Sequence, residues 1–359
     1  MNIMVFNVPA ESVGALSILN QFYDEVHERS SKTDSWFFVL GKPKLEETAN
    51  IRILRFPWIK RSWFHRYYFD NIIAPKLIKK YKIDKVISFQ NITIPRTKVE
   101  QILYVHNCLP FIDYKFNFRE NKILWVYQNI IGKKILKSVI EANKVIVQTE
   151  WMKNACIERT GIDENKIDVV LPKINIAIKQ KYVKNKKTLK TFFYPASEFI
   201  YKNHQLIVDA CQLIIEQGIN DFKVIFTLKG NENSYVSGLY KKVTEKRLPV
   251  QFVGALSREH VFDMYGKSIL LFPSYIETFG LPLLEAKFHE TIILASDCVF
   301  SREVVGSYKN AYFFDPFDSE RLADVMKKVL LGKIQYKTIE REEFVEFQQE
   351  HQYLIDALI

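Results

Sequence analysis

Short apolar runs alternating with longer amphipathic stretches constrain this 359-residue chain more than any other feature. Ile3–Val8, Trp36–Leu40, Ile51–Leu54, Val86–Phe89, Ile102–Val105 and Val145–Gln148 read as buried strands. Helical spacing lies between them, over Ser12–His27, Tyr67–Tyr81 (with Pro75 inside), Lys122–Val139 and onward from Trp151. The second half repeats the theme with strand candidates Thr191–Tyr194, Val224–Leu228, Val250–Val253, Ile269–Phe272, Ile292–Ala295 and Tyr312–Phe314. Strands separated by helices of roughly 10–15 residues predict βαβ units and parallel sheets, because parallel neighbours need a crossover connection. The polar stretch Lys179–Lys190 lacks apolar periodicity and reads as a linker. The expected fold is therefore α/β, with two Rossmann-like doubly wound domains over 1–180 and 181–359, the final helix being free to pack back on the first. Such sheets bind ligands beyond the carboxyl ends of their strands, which makes an inter-domain cleft the expected site.

Composition narrows the classes. Apolar residues make up 48% and charged residues 26%, the mix of a globular protein with ample core, so disorder and a small disulfide scaffold are excluded. Cys108, Cys156, Cys211 and Cys298 are far apart and form no CxxC, which predicts free thiols in a reducing cytoplasm and no zinc site. The N-terminus lacks a basic n-region and cleavage site and reads as a first strand. No apolar run approaches the roughly 18 residues of a spanning helix. The charge is uneven: residues 1–180 hold 28 Lys and Arg against 18 Asp and Glu, while 181–359 hold 23 of each. Residues 51–100 alone carry 12 basic and 3 acidic side chains, so the N-terminal half is expected to meet something anionic.

The segment richest in chemistry is Phe272-Pro-Ser-Tyr-Ile-Glu-Thr-Phe-Gly-Leu-Pro-Leu-Leu-Glu-Ala286. A strand is expected to end at Phe272 and a helix to start near Leu281, with Pro282 in the first turn, where its missing N–H costs nothing. Gly280 permits close backbone approach, and the N–H groups of Phe279, Gly280 and Leu281 would point out of the helix start as a phosphate site. An ordinary tight turn has the same spacing. Glu277 and Glu285 bracket this turn. On one helix, eight residues would separate them by roughly 12 Å, beyond the reach of a glycosidase pair. Two contacts on one extended ligand fit better than that. A dipole-favoured Glu277 with a solvated Glu285 is the plainer alternative.

In these residues the chain resembles the retaining GT-B glycosyltransferases of family GT4, bacterial polysaccharide-biosynthesis type. Glu277 and Glu285 form its E-x7-E motif. Phe252-Val-Gly-Ala-Leu256, Tyr201-Lys-Asn-His204, Ser301-Arg-Glu-Val-Val-Gly306 and Phe314-Asp-Pro316 resemble its other landmarks in order. Val13-Gly-Ala15 sits at its Gly-Gly turn. The likeness is strong over about 190–330 and weaker before. It implies that Glu277 holds hydroxyls of the transferred sugar, with the backbone of Thr278, Phe279, Gly280 and Leu281 against sugar and diphosphate. Glu285 would accept from the ribose, Gly254 and Ala255 would lie near the base, and Lys202 would neutralise the leaving diphosphate. Gly14 would leave room for phosphate and acceptor, and His106, at the end of Tyr104-Val-His-Asn107, would be the family's cleft histidine near the donor sugar. His204 reads as a helix-start residue.

Three places depart from the family. Ala196 stands where an Arg often accompanies the phosphate Lys, only one glycine remains at the Gly-Gly turn, and Glu290-Thr-Ile292 replaces a GxP. Arg302 or Lys229 are the candidates to balance the diphosphate in place of the missing Arg. There is no DxD, no clustered metal-ligand spacing and no GxGxxG, so neither a metal nor a redox cofactor is expected.

The stretch from Arg55 to Phe69 interleaves basic and aromatic residues, and Lys76, Lys79, Lys80, Lys82 and Lys85 follow. Such a segment suits the interface of an anionic membrane, contacted through residues 55–85. A solvated helix with its aromatics in the core fits as well. No nucleic-acid motif accompanies it. The expectation is a cytoplasmic enzyme at the inner face of the plasma membrane. It would move a hexosyl group, with retention and without metal, from a nucleotide-sugar (UDP-sugar foremost) to a polyprenyl-diphosphate-linked saccharide acceptor in capsule, exopolysaccharide or O-antigen synthesis. A non-catalytic GT-B subunit and a GT-B sugar-nucleotide epimerase are the alternatives.

Overall fold

In the computed structural model, which describes residues 1–10, 13–31, 33–119, 121–172, 180–337 and 353–359, thirteen strands form two wholly parallel sheets. The chain packs as two units, Met1–Ile174 with Glu350–Ile359, and Asn175–Gln349.

The first sheet contains β1 (Asn2–Asn7), β2 (Ser35–Leu40), β3 (Ile51–Arg55), β4 (Lys85–Ser88), β5 (Glu100–Tyr104), β6 (Lys144–Val147) and β7 (Ile167–Val169), in the order β3-β2-β1-β4-β5-β6-β7. Its helices are α1 (Val13–Arg29), α2 (Trp63–Tyr68), α3 (Ala74–Lys80), α4 (Lys122–Val126), α5 (Gly132–Glu141) and α6 (Glu150–Thr160). Strand β7 is too short and polar to show in the apolar pattern, and pairing with β6 defines it. Strands β1 and β2 are buried along nearly their whole length, which explains their continuous apolar reading.

Pro75 interrupts no helix. The chain runs from α2 through a wider π turn, Phe69–Ile73, into α3, and Ala74 N–H reaches back to Phe69 O. The turn places Pro75 at the start of a new helical segment, where its absent N–H is harmless. The aromatics of this region divide. Phe69 enters a core cluster with Phe6 and Val86, and Phe56 and Trp58 pack against it, whereas Trp63, Phe64, Tyr67 and Tyr68 stay exposed.

A closing helix, Leu354–Leu358, buries Leu354, Ile355, Ala357 and Leu358 in the core around Phe22 and Trp36. Its ends are matched in charge. Buried Glu25 accepts the Ile355 N–H at 3.0 Å, while Lys144 Nζ donates to Ala357 O and Lys85 Nζ to Ile359 O, each at 2.9 Å. Anion at the start and cations at the finish complement the helix dipole.

The second sheet holds β8 (Thr191–Tyr194), β9 (Lys223–Phe226), β10 (Val250–Phe252), β11 (Ile269–Phe272), β12 (Ile293–Ser296) and β13 (Ala311–Phe314), in the order β10-β9-β8-β11-β12-β13. Its helices are α7 (His204–Glu216), α8 (Ser234–Glu245), α9 (Arg258–Tyr265), α10 (Leu281–Phe288), α11 (Val299–Val305) and α12 (Ser319–Leu330). Strand order reverses between β8 and β11, so the loops leaving these two strands flank the sheet's switch point.

The stretch Lys179–Lys190, read as a linker, is fastened to this unit where it is described, Lys179 lying outside the described residues. Tyr182 is buried, its N–H donates to His289 O at 2.7 Å, and Lys181 pairs with Glu290. Its charged sequence conceals a single aromatic anchor.

Candidate active site

Lys202 leaves β8 in a short 3-10 turn, Ile200–Lys202, that Asn203 ends in the left-handed region at φ 60°. Asn203 suits that conformation, and its Nδ2 donates to Pro316 O at 2.7 Å, fixing the corner. Tyr194 Oη donates to Lys202 O at 2.7 Å, and Tyr275 N–H reaches Tyr201 O at 3.2 Å, which joins this loop to the one leaving β11.

Across that junction Lys202 Nζ meets Glu277 Oε1 at 2.5 Å, both side chains being largely buried. Buried Ser274 places its Oγ 2.8 Å from the same oxygen, and Ser296 Oγ in turn donates to Ser274 O at 2.5 Å. Both donors converge on Oε1, so Oε2 is left to other partners. The resemblance implied separate tasks for Lys202 and Glu277, and the structure joins the two side chains directly.

Helix α10 starts four residues beyond Glu277. Gly280 caps it at φ 88°, ψ 58°, a left-handed conformation that favours glycine. A Cβ there would stand 3.2 Å from Leu283 Cδ1 and 3.3 Å from Phe272 Cζ, so the glycine is required by space as well as by backbone. Pro282 occupies the first turn, and Thr278, Phe279, Gly280 and Leu281 form the run from the acid to the helix start. Phe279 is buried.

Glu285 lies within α10, largely buried and not solvated. Tyr265 Oη donates to its Oε2 at 2.9 Å, and an Arg258 guanidinium nitrogen stands 3.9 Å from Oε1. Burial raises the Glu285 pKa above the usual carboxylate range, with the Tyr265 hydrogen bond and the Arg258 charge opposing it. Gly254 follows β10 at φ 76°, donating its N–H to Leu228 O at 2.9 Å, and the exposed Ala255 comes next. Lys229 lies against Gly254, 3.4 Å from the site of a Cβ there. Ala196 exchanges hydrogen bonds with Thr227 Oγ1, at 3.1 and 3.3 Å, so the place of the missing Arg is a fastened backbone turn. Arg302 is committed elsewhere: it grips Asp297 at 2.7 and 2.8 Å and lies over the Phe313 ring.

In the first unit, His106 follows β5 and Gly14 lies in the first turn of α1, after β1. His106 N–H donates to Asn91 Oδ1 at 2.7 Å, and Asn91 Nδ2 stands 3.1 Å from His106 Nε2. The first bond fixes which end of the amide faces the ring. Nε2 must therefore accept, and the ring proton resides on Nδ1, which is buried without a partner among the described residues. Burial lowers the His106 pKa to about 4, so the ring is neutral near pH 7. Asn91, itself at φ 62°, carries no motif. Ser274 stood inside the quoted stretch but as a small residue beside a proline. Tyr265 and Arg258 lie on another helix, 20 or more residues before Glu285, and no local spacing marks them.

His204 starts α7 as expected, but its ring is fully buried between Tyr194 and Phe226, at 4.8 and 4.9 Å between centroids. Both ring nitrogens lack partners among the described residues, and burial, then the Lys202 charge, lower its pKa to about 3.

Known proteins resemble this chain in sequence and in fold. Residues 175–350, the segment that carries Lys202, Glu277 and Glu285, match the family described as glycosyl transferases group 1. The O-antigen chain mannosyltransferase RfbU of Salmonella typhimurium is 24% identical over 273 residues, covering 73% of this chain and 70% of that one. Sucrose-phosphate synthase of Thermosynechococcus elongatus superposes with a TM-score of 0.72 at 13% identity, over 100% of this chain and 96% of that one. Anabaena Alr3699/HepE in complex with UDP gives 0.69 at 13% identity, over 99% and 97%. The fold is thus that of the GT-B glycosyltransferases. In sequence, residues 175–350 resemble the GT4-type glycosyl transferases of group 1.

Proposed function

We propose that the protein is a retaining glycosyltransferase that uses a nucleotide-sugar, with UDP as its nucleotide. The observation that carries the reading is the Lys202–Glu277 pair beside the Gly280 start of α10, at the switch point of the second sheet. An ammonium and unpaired helix N–H groups there suit a diphosphate whose charge grows as the glycosidic bond breaks. In this reading the Glu277 carboxylate, anchored through Oε1, offers Oε2 to sugar hydroxyls, and Glu285 accepts from the ribose. The amides of Phe279, Gly280 and Leu281 hold the diphosphate, with Gly254 and Ala255 beside the base. In the first unit, neutral His106 is assigned a place near the donor sugar, and Gly14 leaves room for the acceptor. Retention would follow from same-face attack, the leaving diphosphate oxygen taking the acceptor's proton. Lys202 is assigned the neutralisation of that diphosphate, with no metal required.

For the acceptor we assign a hydroxyl of a polyprenyl-diphosphate-linked saccharide. RfbU, by its name, works on the O-antigen chain, and the first unit presents an amphipathic surface. Trp63 packs edge-on against Tyr127 at 6.0 Å, and Lys134 Nζ stands 5.4 Å from the centre of the Tyr67 ring. The exposed Phe64, Ile123 and Ile130 accompany them. Rings with flanking cations suit a membrane interface. No helix among the described residues is long and apolar enough to cross a membrane.

The test is a thermal-shift panel of UDP, GDP, dTDP and their sugar conjugates, followed by turnover of the parent and Glu277→Ala. A shift with a uridine ligand and a folded, inactive variant support the reading. Silence across the panel with folded protein favours a non-catalytic subunit. Turnover of the donor alone to an isomeric nucleotide-sugar makes the protein an epimerase.

A further inference from the structure

A cavity of about 500 Å3 opens on the first unit between α3 and the turn that precedes β5, at the amino ends of β4 and β5, whereas His106 follows the carboxyl end of β5. Five of its ten lining residues are cations, Lys76, Lys79, Lys82, Arg96 and Lys98, and none is a carboxylate. The neighbouring acids are engaged elsewhere. Asp84 accepts the Asn2 N–H at 2.7 Å, and Glu100 stands 3.5 Å from Lys85 Nζ.

The end of α3 accounts for part of this charge, since lysines in a last turn complement the helix dipole. That dipole amounts to only about half a unit of negative charge. It does not reach the second wall, where Arg96 and Lys98 come from a separate segment. Arg96 and Lys82 also hold left-handed backbone, at φ 59° and 48°, positions more easily filled by glycine or asparagine. Two segments distant in sequence therefore bring like charges to one concavity, which raises the local potential for an anion.

We propose that this pocket binds a phosphate-bearing anion of at least two negative charges. The ligand is either a free phosphorylated molecule or the phosphate of a lipid headgroup. Arg96 supplies a planar fork for its oxygens and the lysines supply point charges. The site shares no residue with the candidate active site of the second unit, and its existence does not depend on the transfer reaction.

The experiment uses the full chain with two probes. One is inorganic pyrophosphate, followed by titration calorimetry. The other is vesicles of phosphatidylcholine with and without 30% phosphatidylglycerol, followed by co-sedimentation. The parent is compared with R96E/K98E, with the milder K76Q/K79Q, and with K186E/K246E, which makes the same change of net charge as R96E/K98E elsewhere. A tenfold or greater loss of pyrophosphate affinity in both pocket variants, absent from K186E/K246E, establishes a site for a free phosphorylated ligand. The same pattern in anionic-vesicle binding alone establishes a lipid phosphate. If neither probe binds, if the pocket variants bind as the parent does, or if K186E/K246E loses as much, the proposal is overturned. Should R96E/K98E fail to fold, K76Q/K79Q carries the comparison. A UDP thermal shift on the same samples reads the donor site separately, so failure of the proposed activity is distinguishable from failure of this pocket.

Discussion

Lys202 and Glu277 are 75 residues apart in the sequence, yet their side chains meet at 2.5 Å where the loops leaving β8 and β11 cross. Each neutralises a partner that would be costly to leave alone away from water. The pair is therefore a structural latch between the two loops as well as a ready-made cation and carboxylate for a ligand.

Removing either member should cost activity and stability together. Lys202→Ala and Glu277→Ala are each expected to lower kcat by about 100-fold or more, the scale of losing one preorganised electrostatic group. Each should also lower Tm, while the double variant melts less far below the parent than the sum of the two. Steady-state kinetics and a thermal double-mutant cycle check both. Additive losses in Tm would show that the pair is not coupled.

Gly280→Ala is expected to destabilise the protein by roughly 1–3 kcal/mol, because alanine must take a left-handed conformation and press on Leu283 and Phe272. Denaturant unfolding measures it. A neutral result would mean that the helix start shifts easily and that the turn is not a rigid anion cradle.

Tyr265→Phe removes the hydroxyl that donates to Glu285 Oε2 at 2.9 Å. That hydrogen bond lowers the carboxyl pKa, so its loss lets burial raise it further. If ionised Glu285 grips the ribose, UDP affinity should fall by about tenfold, and its decline on acidification should begin at a higher pH than in the parent. Calorimetry across pH tests this, and an unchanged pH profile would separate Glu285 from the nucleotide.

The buried histidines predict acid sensitivity. Their folded pKa values are depressed, to about 4 for His106 and about 3 for His204, so the unfolded chain takes up protons first. Stability is then full above the unfolded value of about 6.5 and falls as pH drops towards 4 and 3, by about 1.4 kcal/mol per pH unit for each ring. His204→Phe, filling the same aromatic niche between Tyr194 and Phe226, should keep stability at pH 7 and flatten the acid slope by one ring's share. Chemical denaturation from pH 7 to pH 4 measures the slope. An equal slope in the variant would place the protonation elsewhere.

Much of the fold was legible because it depends on short-range patterning. Buried parallel strands need apolar residues on both faces, so β1, β2, β8 and β11 stand out, and crossover helices show their own period. Misreadings arose where local signals compete with packing. Strand β7 is defined by pairing alone, and the lysine-rich stretch around Tyr182, read as a linker, is anchored by one buried ring. For the run Arg55–Phe69 the sequence left two readings open, and the structure divides it. Phe56, Trp58 and Phe69 pack in the core cluster while Trp63, Phe64, Tyr67 and Tyr68 are exposed, because only packing decides which rings of an interleaved run face inward.

The sequence by itself determined the parallel α/β class, the strand-to-helix turn at Gly280, and the residue types around it, since these follow from periodicity, backbone preference and motif. Only the tertiary structure decided that Lys202 pairs with Glu277, that Tyr265 and Arg258 serve Glu285, that Asn91 sets the tautomer of His106, and that Arg96 joins the lysines of α3. Each of those relationships joins segments brought together by sheet order. No local period encodes which loops a crossover connection will set side by side.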